Sequence, residues 1–160
     1  MLEPGSRTGR LVLPEGTAAE PDVSPDGRWI AYTSPQNGEG VILVQAFPGP
    51  GSRIQVSAGG GQNAMWSADG RSLYYIGRAS PGASPTLFMA VDMHPGSTID
   101  PGTPRELFRR PESQRCGILR CYDVRGDGTV LFRDRGSVAR ESVSRMDLVL
   151  NWTATLPPTH

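Results

Sequence analysis

The 160 residues predict an all-β fold, a partial β-propeller of about three four-stranded antiparallel blades, on three observations. The first is a hairpin that recurs. Ser24-Pro25-Asp26-Gly27-Arg28 runs into the apolar strand Trp29-Ile30-Ala31-Tyr32-Thr33, Ser67-Ala68-Asp69-Gly70-Arg71 into Ser72-Leu73-Tyr74-Tyr75-Ile76, and Arg125-Gly126-Asp127-Gly128-Thr129 into Val130-Leu131-Phe132. The second is spacing: Asp26 to Asp69 is 43 residues, the period of a four-stranded blade, and Asp69 to Asp127 is 58, which leaves room for longer loops. The third is composition. With 20 Gly, 15 Pro and 37% hydrophobic residues, the chain suits short strands joined by tight turns. Nowhere do apolar residues repeat at three and four over a long enough window free of Gly and Pro to make a helix.

The turn is legible residue by residue. Ser24 suits the first position of a type I turn, Pro25 presets φ for the second, Asp26 tolerates the third, and Gly27 takes the left-handed conformation that makes a bulge. Asp69-Gly70 and Asp127-Gly128 repeat the device, so Pro25, Asp26, Gly27, Asp69, Gly70, Asp127 and Gly128 are read as structural turn residues. Trp29 to Thr33 are nearly all apolar, which predicts a strand packed on both faces.

In chain order, residues 1–9 are polar and Gly-rich and read as a disordered or linker segment. Residues 10–13 read as an outer strand. The first unit then has strands at 20–24, 28–34, 40–46 and 53–57, with turns at Pro35-Gln36-Asn37-Gly38 and Pro48-Gly49-Pro50-Gly51. Gly59-Gly60-Gly61-Gln62 crosses to a second unit with strands at 63–67, 71–76, 86–92 and 105–108. A third has strands at 120–124, 129–133 and 146–152, and residues 153–160 read as a frayed tail. The blades thus occupy about 10–57, 58–110 and 111–152.

Sixteen basic residues, all Arg, balance sixteen acids and are scattered, so no electrostatic footprint for nucleic acid or an anionic membrane is visible. No apolar run approaches a membrane span, and Met1-Leu2-Glu3-Pro4-Gly5 lacks the regions of a secretory signal. The compartment stays open, extracytoplasmic if the chain belongs to a membrane-anchored parent.

The repeated words resemble those of TolB-like, WD-repeat-like β-propellers, whose blades carry Pro-x-Trp-Ser-Pro-Asp-Gly-Arg before an aromatic-rich strand. Residues 21–32 match with Val23 in the Trp position, and residues 66–75 match with Ala68 replacing Pro. Arg125 and Gly126 replace Ser and Pro in the third copy. Val44-Gln45-Ala46-Phe47-Pro48-Gly49-Pro50-Gly51, Pro101-Gly102-Thr103-Pro104-Arg105-Glu106-Leu107-Phe108 and Leu148-Val149-Leu150-Asn151-Trp152 further resemble the C-terminal blades of propellers attached to bacterial serine/threonine protein kinases. The likeness covers about residues 10–152 and implies a six-bladed parent. No nucleotide loop, His-Arg-Asp or Asp-Phe-Gly word is present, so kinase activity does not carry over.

No catalytic, cofactor-binding or metal residue is assigned. His94, before Pro95-Gly96 at a strand end, and His160 read as exposed loop residues rather than general bases, and Gly-x-Ser-x-Gly is absent. Cys116 and Cys121 lack two further zinc ligands at suitable spacing. A disulfide across their short loop stays open, but two free thiols are preferred because no targeting segment is seen. The Asp-Gly pairs are turn chemistry rather than calcium loops. Arg125-Gly126-Asp127 is an accident of the degenerate turn, and the Asn151-Trp152-Thr153 sequon falls in an expected core strand. Trp29, Trp66, Tyr74, Tyr75 and Phe132 read as core between blades.

These readings converge on a non-enzymatic binding or sensor module that takes a protein or small ligand at its loops or channel, as part of a longer bacterial protein. The alternative is an accessory propeller of a peptidase or hydrolase. Three blades are too few to close a ring, which predicts water contact for Ile30, Leu73, Val130 and Val149. A longer parent removes that problem; so does a homodimer whose residues 10–13 complete the partner's last blade.

Overall fold

A computed structural model describes residues 13, 18–49, 51–96, 98–110 and 120–133, and among them every regular element is a strand. The first sheet is an antiparallel meander of β1 (Ala19–Val23), β2 (Trp29–Gln36), β3 (Glu39–Ala46) and β4 (Ile54–Gln55), in that spatial order. The second contains β5 (Gly61–Trp66), β6 (Ser72–Arg78) and β7 (Pro85–Pro95). The eleven-residue β7 pairs along its first half with β9 (Arg105–Arg109) and along its last residues with the short β8 (Ile99–Pro101). A hairpin of β10 (Tyr122–Val124) and β11 (Val130–Phe132) opens a third unit. The described residues therefore form a partial β-propeller: two complete antiparallel blades and the first two strands of the next.

Period-two alternation builds the core from both faces of each middle strand. Trp29 and Ala31 of β2, with Ile42 and Val44 of β3, face the second blade. There they meet Trp66, Leu73, Tyr75, Val91 and Met93 in the first seam. Tyr74, Ile76 and Phe88 point the other way, into a second seam closed by Tyr122, Val124, Val130 and Phe132. All five aromatic residues expected between blades lie in these two seams. The seam brings β5 so close to the first blade that a Cβ on Gly61 would stand 2.8 Å from the Tyr75 ring and 3.0 Å from Ile42. Only glycine fits that approach without a shift of the neighbours.

Several expectations change. The β2–β3 turn is the two-residue Asn37-Gly38, with φ of +51° and +81°, rather than the four residues 35–38. Both left-handed residues suit a primed hairpin turn, so β2 extends through Pro35, paired with Gly40. Strand β8 was not anticipated. Of the expected outer strand 10–13, only Leu13 is described, as a bend packed against the face made by Ile30, Tyr32, Val41 and Leu43. That packing corrects the exposure expected of Ile30, which is buried. Leu73 is also buried, because its blade has a neighbour on that side. Val130 is half-buried, and Val149 and the strand at 146–152 lie outside the described residues. The exposed apolar residue of the third hairpin is Leu131, 53% accessible on the face opposite the seam.

Candidate functional site

The turns carry the first set of sequence-selected residues. Between β1 and β2 the Gly27 N–H donates to Ser24 O (2.8 Å), with Gly27 at φ +72°. Asp26 Oδ1 accepts from Ser24 Oγ (2.6 Å) and from the Arg28 N–H (3.1 Å), while Ser24 Oγ accepts the Trp29 N–H at 2.9 Å. Pro25 occupies the position between. Asp69 repeats this with Ser67 Oγ (2.7 Å) and the Arg71 N–H (3.0 Å), Ser67 Oγ takes the Ser72 N–H (2.9 Å), and Gly70 sits at φ +71°. The third turn lacks the serine. Asp127 Oδ1 accepts the Thr129 N–H (2.9 Å), Gly128 is at φ +83°, and the Arg125 N–H donates directly to Thr129 O (2.9 Å).

The third loop, which lacks the hydroxyl, also pairs in a different register. Val23 pairs with Ile30 and Trp66 with Leu73, seven positions on, but Val124 pairs with Val130, six positions on. All three loops close backbone on backbone, from the Ser24 N–H to Trp29 O (2.9 Å), from the Ser67 N–H to Ser72 O (2.8 Å) and from the Arg125 N–H to Thr129 O; the first two loops are one residue longer, and in them the serine oxygen also accepts a strand N–H. The hydrogen bond from the serine hydroxyl, then that from the Arg backbone, holds the Asp26 and Asp69 carboxyls below their ordinary range. At Asp127 the Thr129 backbone N–H is the main cause of the same shift. These groups are exposed and bind their own turns, so their chemistry is structural.

A second constellation lies where the first strands of the units meet. β1 and β5 are edge strands of their sheets and lie side by side. Side chains of one cap backbone groups of the other. Glu20 Oε2 accepts Thr33 Oγ1 at 2.9 Å and the Asn63 N–H at 2.8 Å. Asp22 Oδ2 accepts the Trp66 N–H at 2.8 Å, and its Oδ1 pairs with Arg120 Nη2, also at 2.8 Å. Glu20 and Asn63, 43 residues apart, occupy matching positions and both have positive φ (+54° and +58°), each within an irregularity of strand register. From the third unit the Tyr122 hydroxyl donates to Asn63 O and lies 3.1 Å from Tyr74 O. Burial pushes the Tyr122 phenol far above its ordinary range, so it stays protonated as a donor. Tyr75, buried in the first seam, is pushed up to about 12.

Arg120 and Asp22 remain partly open, with side chains 43% and 21% accessible. This puts a fixed carboxylate and a cation at the convergence of three units. None of Glu20, Asp22, Arg120 and Tyr122 was selected from sequence. The one local signal was two carboxylates two positions apart on a first strand; Thr33 apart, their partners are 43 to 98 residues away.

His94 lies near the end of β7, exposed, with Nδ1 3.2 Å from Asp100 O. It shares an open groove with Asp69, Arg71, Ser72, Asp92 and Met93. Asp69 is occupied by its own turn, and Asp92 pairs with Arg105 at 3.5 Å. Among the described residues no group of three His, Cys, Asp or Glu side chains could hold a metal ion, and no helix is long and apolar enough to cross a membrane. The preference for free thiols is corrected at Cys121, whose sulfur is in a disulfide. That preference rested on the missing targeting segment, which does not fix the redox state of a thiol. Cys116, His160 and Asn151 lie outside the described residues.

Two blades and an opening hairpin, joined by apolar seams and by side-chain caps on their first strands, define a propeller scaffold with a charged inner edge. No protein-family model matches the sequence, and no curated protein does. Among solved structures the chain is similar to TolB from Acinetobacter baumannii, at 20% identity and a TM-score of 0.47, over 76% of this chain. The match spans 28% of that protein's length.

Proposed function

We propose that the chain is a non-enzymatic binding module, with blades at about 10–57, 58–110 and 111–152, that presents its inner edge and loops to a protein or small-ligand partner. The observation that carries this reading is the Glu20–Asp22–Arg120 constellation. Its charged groups are fixed by backbone hydrogen bonds and an ion pair, yet Arg120 and Asp22 keep accessible surface. Charges held in place before a partner arrives lose little entropy on binding, and edge strands on a rigid scaffold hold them steadily. The turn and strand words that resemble kinase-attached propellers support a place in a longer bacterial protein with more blades. The disulfide at Cys121 supports an oxidising, extracytoplasmic setting.

The test is a pull-down from the source cell with the intact parent protein, beside the variant Arg120→Glu. A partner held by the wild type and lost by R120E, with unchanged melting, is the expected result. Hydrolase or phosphotransfer turnover that copurifies with the chain and disappears in His94→Ala would overturn the non-enzymatic reading.

A further inference from the structure

Asn-Gly and Asp-Gly pairs share a chemical liability: the glycine nitrogen can attack the preceding side-chain carbonyl carbon, because glycine has no Cβ to obstruct the approach. The chain has four such pairs, Asp26-Gly27, Asn37-Gly38, Asp69-Gly70 and Asp127-Gly128. In three of them both reacting groups are engaged. Gly27, Gly70 and Gly128 donate their N–H to Ser24 O, Ser67 O and Arg125 O at 2.8, 3.0 and 2.9 Å, and Asp26, Asp69 and Asp127 Oδ1 accept the backbone N–H two residues on, at 3.1, 3.0 and 2.9 Å. Asn37-Gly38 differs at both groups. Among the described residues neither the Gly38 N–H nor the Asn37 amide has a hydrogen-bond partner, and both residues are exposed. Nothing lies within 4 Å of where a Gly38 Cβ would stand. The hairpin does not call on that N–H, since the residues that pair across the turn are Gln36 and Glu39.

We propose that Asn37 is a modification site, at which the folded chain loses ammonia and acquires an aspartyl or isoaspartyl residue without an enzyme. Solvent base takes the proton of the Gly38 N–H and the nitrogen attacks Asn37 Cγ. A bond forms between Gly38 N and Cγ, the bond from Cγ to the side-chain nitrogen breaks, and that nitrogen leaves as ammonia with a proton from solvent. The product is a five-membered succinimide. One water then opens the ring: addition at Cγ gives an aspartyl residue, and addition at the backbone carbonyl carbon of Asn37 gives the isoaspartyl isomer, whose main chain runs through the former side chain. One water is consumed, one ammonia is released, and nothing is oxidised or reduced. The attack requires Asn37 to leave its left-handed conformation, so the hairpin tip must open. That opening involves the last pair of the sheet, Gln36 with Glu39, at a solvent-facing end of β2 and β3.

The position gives the change a structural consequence. An isoaspartyl residue adds a methylene to the main chain of a turn whose two residues stand at φ +51° and +81°, and so loosens the pairs Gln36–Glu39 and Pro35–Gly40. A Cβ on Gly40 would stand 2.8 Å from Gly61 O, so the loosening reaches the close approach of β3 to the second blade. Either product also places a new carboxylate two residues from Glu39, whose Oε1 accepts the Gly82 N–H and tethers the β6–β7 loop.

The experiment incubates the native chain in mildly alkaline buffer beside a sample in denaturant. Peptide mass spectrometry with electron-based fragmentation, which separates aspartyl from isoaspartyl, then follows residue 37 and the three turn aspartates. In the native chain Asn37 should convert within about tenfold of its rate in denaturant, because only the tip has to open. Isomerisation at Asp26 and Asp69 should be suppressed about thirtyfold or more by folding, since two hydrogen bonds must break first. Gly38→Ala should slow conversion of Asn37 several-fold, because the added methyl hinders the attacking nitrogen. If Gly38→Ala does not fold, the native-to-denatured ratios of the wild type still decide. Conversion of Asn37 only in denaturant, protection of Asn37 equal to that of Asp26 and Asp69, or an unchanged rate in a folded Gly38→Ala would each overturn the proposal.

Discussion

Gly27 stands at φ +72° with open space where a Cβ would be, so its requirement is conformational rather than steric. A β-branched residue there is forced into the left-handed region at a cost of about 1–3 kcal/mol. Gly27→Val should lower the denaturant midpoint accordingly, and Gly70→Val, at φ +71°, should do likewise. Ser80, exposed in the loop before β7, is the control: Ser80→Ala should stay within about 0.5 kcal/mol. Matched melts with no difference between Gly27→Val and Ser80→Ala would remove the turn from the account of stability. Ser24 and Ser67 show how much one hydroxyl does, since each oxygen accepts a strand N–H and each hydrogen reaches the aspartate.

At the scale of the hairpin, turn chemistry was readable because every group involved lies within six residues. The middle strands were equally readable from their apolar runs, and β2 and β6 do bury both faces. The β2–β3 turn was misjudged because Pro35 looked like a breaker, whereas a strand tolerates proline where its missing N–H is not called on. The inner-edge caps were not readable: Glu20 reaches Asn63 and Asp22 reaches Trp66 only after two blades have packed. The three turn aspartates also give the hairpins a pH signature. Their folded-state pKa values lie below the ordinary 3.8, so the stability they contribute is present above that value and is lost as pH falls through the depressed folded values. The melting temperature should therefore drop from about pH 5 to about pH 3, and Asp26→Asn with Asp69→Asn, which cannot titrate, should flatten the drop. Superimposable profiles for the double variant and wild type would show that other groups govern acid sensitivity.

For the whole molecule, stability depends on blades gripping one another, and the two seams do this differently. The first combines a large apolar cluster with two carboxylate caps, whereas the second relies on aromatic packing and on the hydroxyl of Tyr122. The Tyr122 ring meets Phe88 edge-on at 5.0 Å and lies 5.7 Å from Phe132, contacts that phenylalanine would keep. Tyr122→Phe therefore isolates the hydroxyl. It removes a donor from buried carbonyls of β5 and β6, a loss of about 1–2 kcal/mol. Because that hydroxyl links the third unit to the second, the loss should be local. Hydrogen exchange should quicken at the amides of β10 and β11 while those of β2 and β3 keep their protection, since the first seam is untouched. A uniform rise in exchange across all strands would mean that the blades unfold as one cooperative unit and that the second seam has no separate strength; unchanged exchange at β10 and β11 would mean that the aromatic packing holds the third hairpin without the hydroxyl.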